Sequence, residues 1–253
     1  MSMNSKGTYY NIEQGHITRV IEPIPKFSQE IIDYFLGLLP LNSVHSVYIK
    51  GSRAYSEPAD SDVDFTVVSD ELPEETHLLE QLIYKKFNIE LDCIIGPKES
   101  FDEGFFTTCV YGDEDLSVTT IPITDIPPVS QSNLDSLINL HEWLEKCLKN
   151  KVYDALIQKN FKLYIKRCLR YTFLQTNQNV YTRDLYWCQK FIAKEFPQFA
   201  KITKQLVDIY LTVDHPLLIE NQSLLSIPLQ DSKILIQFLK DPKSVTDYTV
   251  ALD

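Results

Sequence analysis

The sequence is short of the features that mark whole classes of protein. No stretch of its 253 residues approaches the roughly 18 uncharged apolar residues that a membrane-crossing helix needs, so no membrane partner is expected. The opening residues, Met1 to Tyr10, are polar and carry no apolar signal-peptide core, which points to the cytoplasm. Cysteine is sparse and scattered: Cys93, Cys109, Cys147, Cys168 and Cys188 are odd in number and never form a Cys-Xaa-Xaa-Cys pair. That argues against a disulfide framework or a zinc knuckle, and the thiols are expected to be small buried apolar groups or idle. Histidine is equally dispersed, since His16, His45, His77, His141 and His215 show no metal-ligand spacing. With only 7 glycines and 13 prolines, collagen-like and low-complexity classes fall away too. What is there is ordinary for a globular protein: 44% hydrophobic and 23% charged residues, in a chain long enough for two small domains with real cores.

Positive charge is missing from one half. Residues 1–130 hold 22 acidic against 8 basic side chains, a net −14, while residues 131–253 hold 13 against 16, a net +3, within a total of −11. An acidic surface repels nucleic acid, so extended nucleic-acid contact is not expected. A basic half packed on an acidic half would make a cleft for an anion and a cation side by side; chance and solubility are the plainer account.

The first half alternates helix and strand patterns. Ile31, Ile32, Phe35, Leu36 and Leu39 recur at helical spacing behind Ser28, a suitable N-cap, with Pro40 ending the run. Val44 to Lys50 and Val63 to Val68 are short and rich in β-branched residues, and the loop between them is rich in Gly, Ser, Pro and Asp, as for neighbouring strands. Leu78, Leu79, Leu82, Ile83 and Phe87 predict a second helix, with Glu74 and Glu75 at its start and Lys85 and Lys86 at its end. Ile89 to Ile95 reads as a third strand, and residues 105–123 suggest more. After Ile126-Pro127-Pro128 the periodicity is helical, with helices expected near 132–149, 153–176, 183–195, 198–213 and 229–240, and Pro197, Pro216 and Pro228 in the breaks. Trp143 and Trp187 are expected as core aromatics there. The fold expected is α+β: a small mixed-sheet domain over residues 1–128, then an all-α domain over residues 129–253.

One segment carries chemistry: Val47-Tyr48-Ile49-Lys50-Gly51-Ser52, nine residues of loop, then Asp62-Val63-Asp64 opening the next strand. Side chains alternate along a strand, so Asp62 and Asp64 share a face while Val63, Phe65 and Val67 take the other. Two carboxylates this close imply a cation between them, and Mg²⁺ is the usual one. Gly51 permits close approach of the backbone to a ligand, and Ser52 adds a hydroxyl and an N–H suited to a triphosphate tail. A third carboxylate would serve an acceptor hydroxyl. Asp92, with Glu90 as neighbour or substitute, lies out of pattern for plain core in the third strand and is the candidate. The plainer alternative is a turn whose acids cap and solvate strand ends.

Gly51-Ser52, Asp62-Val63-Asp64 and Asp92 together resemble the motif of the polymerase-beta-like nucleotidyltransferase superfamily, over roughly residues 26–96. Within it the chain is most similar to the bacterial branch of aminoglycoside adenylyltransferases and minimal nucleotidyltransferases with a helical C-terminal domain. The resemblance implies a nucleoside triphosphate, most simply ATP, and Mg²⁺, with two ions expected, held by Asp62, Asp64 and Asp92. It also implies that Asp92 activates the acceptor hydroxyl. The implied activity is transfer of a nucleoside monophosphate with release of pyrophosphate. A small cationic acceptor such as an aminoglycoside, hence antibiotic resistance, suits the acidic half. Toxin- or antitoxin-type modification of a tRNA end or a protein side chain is the alternative, and a non-catalytic nucleotide-binding regulator the next.

The helical half offers cations for the triphosphate. Lys162, Lys166 and Arg170 recur at i, i+4 steps on one helix face, and Arg183 stands in Tyr181-Thr182-Arg183-Asp184, a capped helix start. A phosphate-facing stripe and a solvated helix face are equally compatible with that spacing. In the first half only Lys50 and Arg53 flank the Gly-Ser turn; Arg53 joins the expected nucleotide-binding set, while Lys50 is read as starting the loop.

Overall fold

The computed structural model describes residues 9–19, 24–54, 62–70, 76–101, 104–112, 116, 118–176, 179–213 and 223–243. Its contacts divide the chain into two compact units, residues 1–123 and 124–253. The first mixes strands and helices and the second is built on helices, an α+β architecture. Among the described residues no helix is long and apolar enough to cross a membrane.

The first unit opens with a hairpin that the sequence expectations omit. Strands β1 (Tyr10–Glu13) and β2 (His16–Thr18) turn through Gln14 and Gly15 at φ 51° and 77°. Two successive positive φ values match the twist of a two-residue hairpin, and alternating Tyr10, Ile12 and Ile17 around Gln-Gly is its sequence signal.

The main sheet has four strands, β3 (Val44–Lys50), β4 (Val63–Ser69), β5 (Leu91–Gly96) and β6 (Thr107–Gly112), in the order β5-β4-β3-β6. Strand β3 is antiparallel to β4 and β6, and β4 is parallel to β5. A parallel pair needs a crossover, which helix α2 (Thr76–Phe87) provides after α1 (Lys26–Leu36) has preceded the sheet. Strand β7 (Thr120–Pro122) pairs separately, antiparallel to β2. Both helices feed one core with Val47, Ile49, Val63, Phe65 and Val67. There Phe35 of α1 stacks on Phe65 of β4, ring centroids 4.0 Å apart and planes 1° from parallel. Alternation then fixes the remaining side chains: Tyr48, Lys50, Asp64, Thr66, Asp92 and Ile94 occupy the opposite face.

Helix α1 starts earlier than its sequence pattern suggests. It begins at Lys26 directly after Pro25, and Ser28 lies inside it, fully buried, rather than at the N-cap. Proline's fixed φ admits the chain to the helix without a side-chain cap. Glu74 and Glu75 lie outside the described residues.

The second unit comprises α3 (Gln131–Lys149), α4 (Ala155–Leu174), α5 (Leu185–Glu195), α6 (Ala200–Thr212), α7 (Ser223–Asp231) and α8 (Lys233–Lys240). Ser130, Asp154 and Asp184 cap the first three through side-chain oxygens that accept from Asn133, Ile157 and Trp187 N–H groups at 3.2, 2.9 and 3.1 Å. Three expectations fail here. The segment 229–240 is two helices meeting at Ser232, and Pro228 lies inside the first of them instead of in a break. It cannot donate to the carbonyl of Leu224, which its ring also crowds, and the helix stops three residues later. Trp143 is 37% exposed, so it is no core aromatic. Pro216 lies outside the described residues.

A polar chain crosses this apolar interior. Ser232 Oγ donates to Leu229 O at 2.6 Å, Tyr164 Oη contacts Ser232 Oγ at 2.5 Å, and His141 Nδ1 contacts Tyr164 Oη at 3.0 Å. Because the Ser232 proton goes to the carbonyl, Tyr164 must donate to Ser232 and His141 Nδ1–H to Tyr164. The other ring nitrogen, Nε2, stands 3.5 Å from Glu145 Oε1. Nearby, Cys168 and Cys188 are fully buried free thiols, and burial pushes both up to about 12.

Candidate active site

Four strands deliver their residues to a single row. Lys50 closes β3, with Thr107 of β6 as register partner on one side and Asp64 of β4 on the other. Across the parallel ladder Asp64 pairs with Asp92 of β5. The row reads Thr107, Lys50, Asp64, Asp92, on the face turned away from α1 and α2. Side chains in register on neighbouring strands lie about 5 Å apart, so Asp64 and Asp92 stand side by side. Asp92 is exposed and Asp64 half-buried. Asp62 is exposed just ahead of β4 and by alternation shares the face of Asp64.

Gly51 shows how Asp64 is seated. The chain passes from β3 straight into a 3₁₀ turn, Gly51–Ala54, where Gly51 takes φ 68° and donates its N–H to Phe106 O at 3.0 Å. A Cβ at this position would stand 2.8 Å from Asp64 Oδ2. The backbone conformation favours glycine, and any larger residue would displace the Asp64 carboxylate. Ser52 shares the turn, but its side chain, like residues 55–61 of the loop, lies outside the described set. Arg53 is 1% exposed, its guanidinium carbon 5.4 Å from the ring centroid of Phe27. That places the Arg53 side chain deep in the turn, against Phe27 of α1. On the same face as the acids, Thr66 keeps a buried hydroxyl with no hydrogen-bond partner among the described residues.

Of the cations expected from the helical unit, Lys166 and Arg170 make contacts within it. Lys162, Lys166 and Arg170 lie half-buried along α4. Lys166 Nζ stands 5.6 Å from the centroid of the Tyr210 ring. Arg170 Nε donates to Arg183 O at 2.9 Å, beside the α5 cap Asp184. Burial holds the Asp184 carboxyl above the usual carboxylate range, against the pull of the Trp187 and Tyr186 N–H groups and of Arg170. Arg170 therefore ties α4 to the start of α5, and Arg183 contributes its carbonyl to that tie.

Among the described residues, no three or more His, Cys, Asp or Glu side chains are gathered as around a metal ion. The donors at the row are instead an adjacent carboxylate pair, with Asp62 at the strand mouth. Carboxylate oxygens are hard donors, and two side by side favour a divalent cation such as Mg²⁺ over self-repulsion. The residue that sequence reasoning undervalued is Lys50. Alternation from Val47 and Ile49 was the signal, since it sends Lys50 to the acids' face.

Neither a protein-family model nor a curated protein matches the chain.

Proposed function

We propose that the chain is a Mg²⁺-dependent nucleotidyltransferase that moves a nucleoside monophosphate, most simply AMP from ATP, to a hydroxyl. The observation that carries this reading is the in-register pair Asp64 and Asp92, with Asp64 seated over a positive-φ glycine at the strand-to-turn junction. In this reading the acceptor hydroxyl gives its proton to the Asp92 carboxylate and its oxygen bonds to the α-phosphorus. The bond from that phosphorus to the α,β-bridging oxygen breaks, and pyrophosphate leaves. Asp62 and Asp64, with Asp92, would hold the ion, and Mg²⁺ when bound supplies stabilisation of charge on the attacking and leaving oxygens. Backbone N–H groups that follow Gly51 in the Gly51–Ala54 turn would be the phosphate donors, the Gly51 N–H itself being taken by Phe106 O. A small polycationic acceptor such as an aminoglycoside suits the net −14 of residues 1–130.

The test is incubation with α-labelled ATP, Mg²⁺ and, separately, a panel of aminoglycosides, total tRNA and cell lysate. Label should pass to one acceptor class with release of pyrophosphate. Asp64→Asn should abolish that transfer while leaving the circular dichroism spectrum unchanged; undiminished pyrophosphate release by the variant would refute the assignment.

A further inference from the structure

An ammonium group beside two acids ordinarily closes an ion pair, and Lys50 does not. It is the last residue of β3, in register with Asp64, half-buried and on the acids' face. Its Nζ lies 5.8 Å from the centroid of the Phe101 ring, and among the described residues it makes no ion pair. Asp64, for its part, directs Oδ2 over Gly51. The strand register therefore fixes a positive charge next to the carboxylate pair without spending it on either acid. Elsewhere in the first unit basic side chains are scarce, and Arg53 is buried against Phe27.

We propose that Lys50 is a phosphate-binding residue of this site, its ammonium contacting non-bridging oxygens of the triphosphate substrate while the carboxylates hold the divalent ion. The inference rests on the nucleotidyltransferase reading and adds to it a residue that the Gly-Ser and acid motif does not include. Two charges of opposite sign placed in one row sort the two components of a metal–triphosphate complex, the cation to Asp64 and Asp92 and the anion to Lys50. The same arrangement makes Lys50 unfavourable to metal binding when no triphosphate is present, because a fixed cation repels a second one.

That opposition gives the test a signature which damage to the fold does not mimic. Binding of Mn²⁺ alone, and of an ATP analogue with a methylene at the α,β-bridge in the presence of Mn²⁺, would be measured by calorimetry for the full chain and for Lys50→Met. The variant should bind the analogue about tenfold to a hundredfold more weakly, as loss of a charge-assisted hydrogen bond predicts. It should bind Mn²⁺ alone as tightly as the wild type or more tightly. Lys50→Arg, which keeps the charge, should restore most of the analogue affinity, and it carries the comparison if Lys50→Met does not fold. Parallel weakening of both ligands would make Lys50 structural and overturn the proposal, as would unchanged analogue binding in Lys50→Met. If the wild type binds neither Mn²⁺ nor the analogue, the nucleotidyltransferase reading falls and this proposal falls with it.

Discussion

The Cα of Gly51 lies against the carboxylate of Asp64, so close that a methyl group there would stand 2.8 Å from Oδ2. Gly51→Ala therefore has two effects. A left-handed conformation at φ 68° costs an L-residue about 1–2 kcal/mol, which a thermal melt should register as a modest drop. The carboxylate must also move, so Mn²⁺ affinity should fall by more than that loss of stability accounts for. Unaltered Mn²⁺ binding in a folded Gly51→Ala protein would mean that the seat of Asp64 is irrelevant to the site.

Ligand stabilisation is a second expectation. A protein that binds Mg²⁺ and ATP only when folded gains about 2.7 kcal/mol at a hundredfold excess over the dissociation constant. The melting temperature should therefore rise with metal and triphosphate together, and Asp64→Asn should remove the rise. Titration of both ligands in a thermal-shift assay checks this.

The helical unit should carry its own pH dependence through His141. Burial holds its imidazole below the ordinary value of 6.5, Glu145 and Glu142 pull it up, and Lys233 pushes it down. The folded-state pKa thus lies below that of the unfolded chain, so the unfolded chain takes up the proton first. The stability that comes from the neutral imidazole is complete above pH 6.5 and is lost as pH falls through the folded-state value. Melting curves between pH 8 and pH 5 should show this decline, and His141→Gln should flatten it. The assignment fails if the slope is the same in both proteins.

Arg170 should behave as a structural residue. Its hydrogen bond to Arg183 O and its charge beside Asp184 are both lost in Arg170→Ala, at a cost of about 1–3 kcal/mol for a charged partner. Denaturant unfolding should report that loss at any salt concentration. Lys162→Ala, on the same helix, is the informative comparison for phosphate binding, read by affinity for the ATP analogue.

The sequence was most readable where one periodicity dominated. Gln131–Lys149 and Ala155–Leu174 lie within two residues of the spans predicted from helical spacing, and their caps, Ser130 and Asp154, are ordinary N-cap residues. Strands β3 and β4 were equally legible, because Val47, Ile49, Val63, Phe65 and Val67 alternate cleanly. The hairpin at Tyr10–Thr18 escaped because its strands have only four and three residues, too few for alternation to outweigh their polar content. At the candidate site the identity of the acids was visible, whereas their neighbours were not. Register decides whether Lys50 stands opposite Asp64 or one residue away, and a one-residue slip would send it to the other face. Arg53 shows the converse limit. A basic residue after a Gly-Ser turn suits a phosphate, and its packing against Phe27 is visible only in the fold.

Strand β5 sits at the margin of its sheet, bonded to β4 on one side. Such a margin is a template for another chain, and exposed charge is one of the means by which proteins keep it from being used. Asp92 is exposed on β5 two residues before the exposed Ile94, and Glu90 is exposed just ahead of the strand. The carboxylate proposed to serve the acceptor is thus also one of the charges on this margin. Removing it leaves Ile94, 55% exposed, on a less protected ribbon. Loss of activity in an Asp92→Ala protein is therefore interpretable only for the monodisperse fraction, since self-association through this strand would silence the site as surely as loss of a proton acceptor.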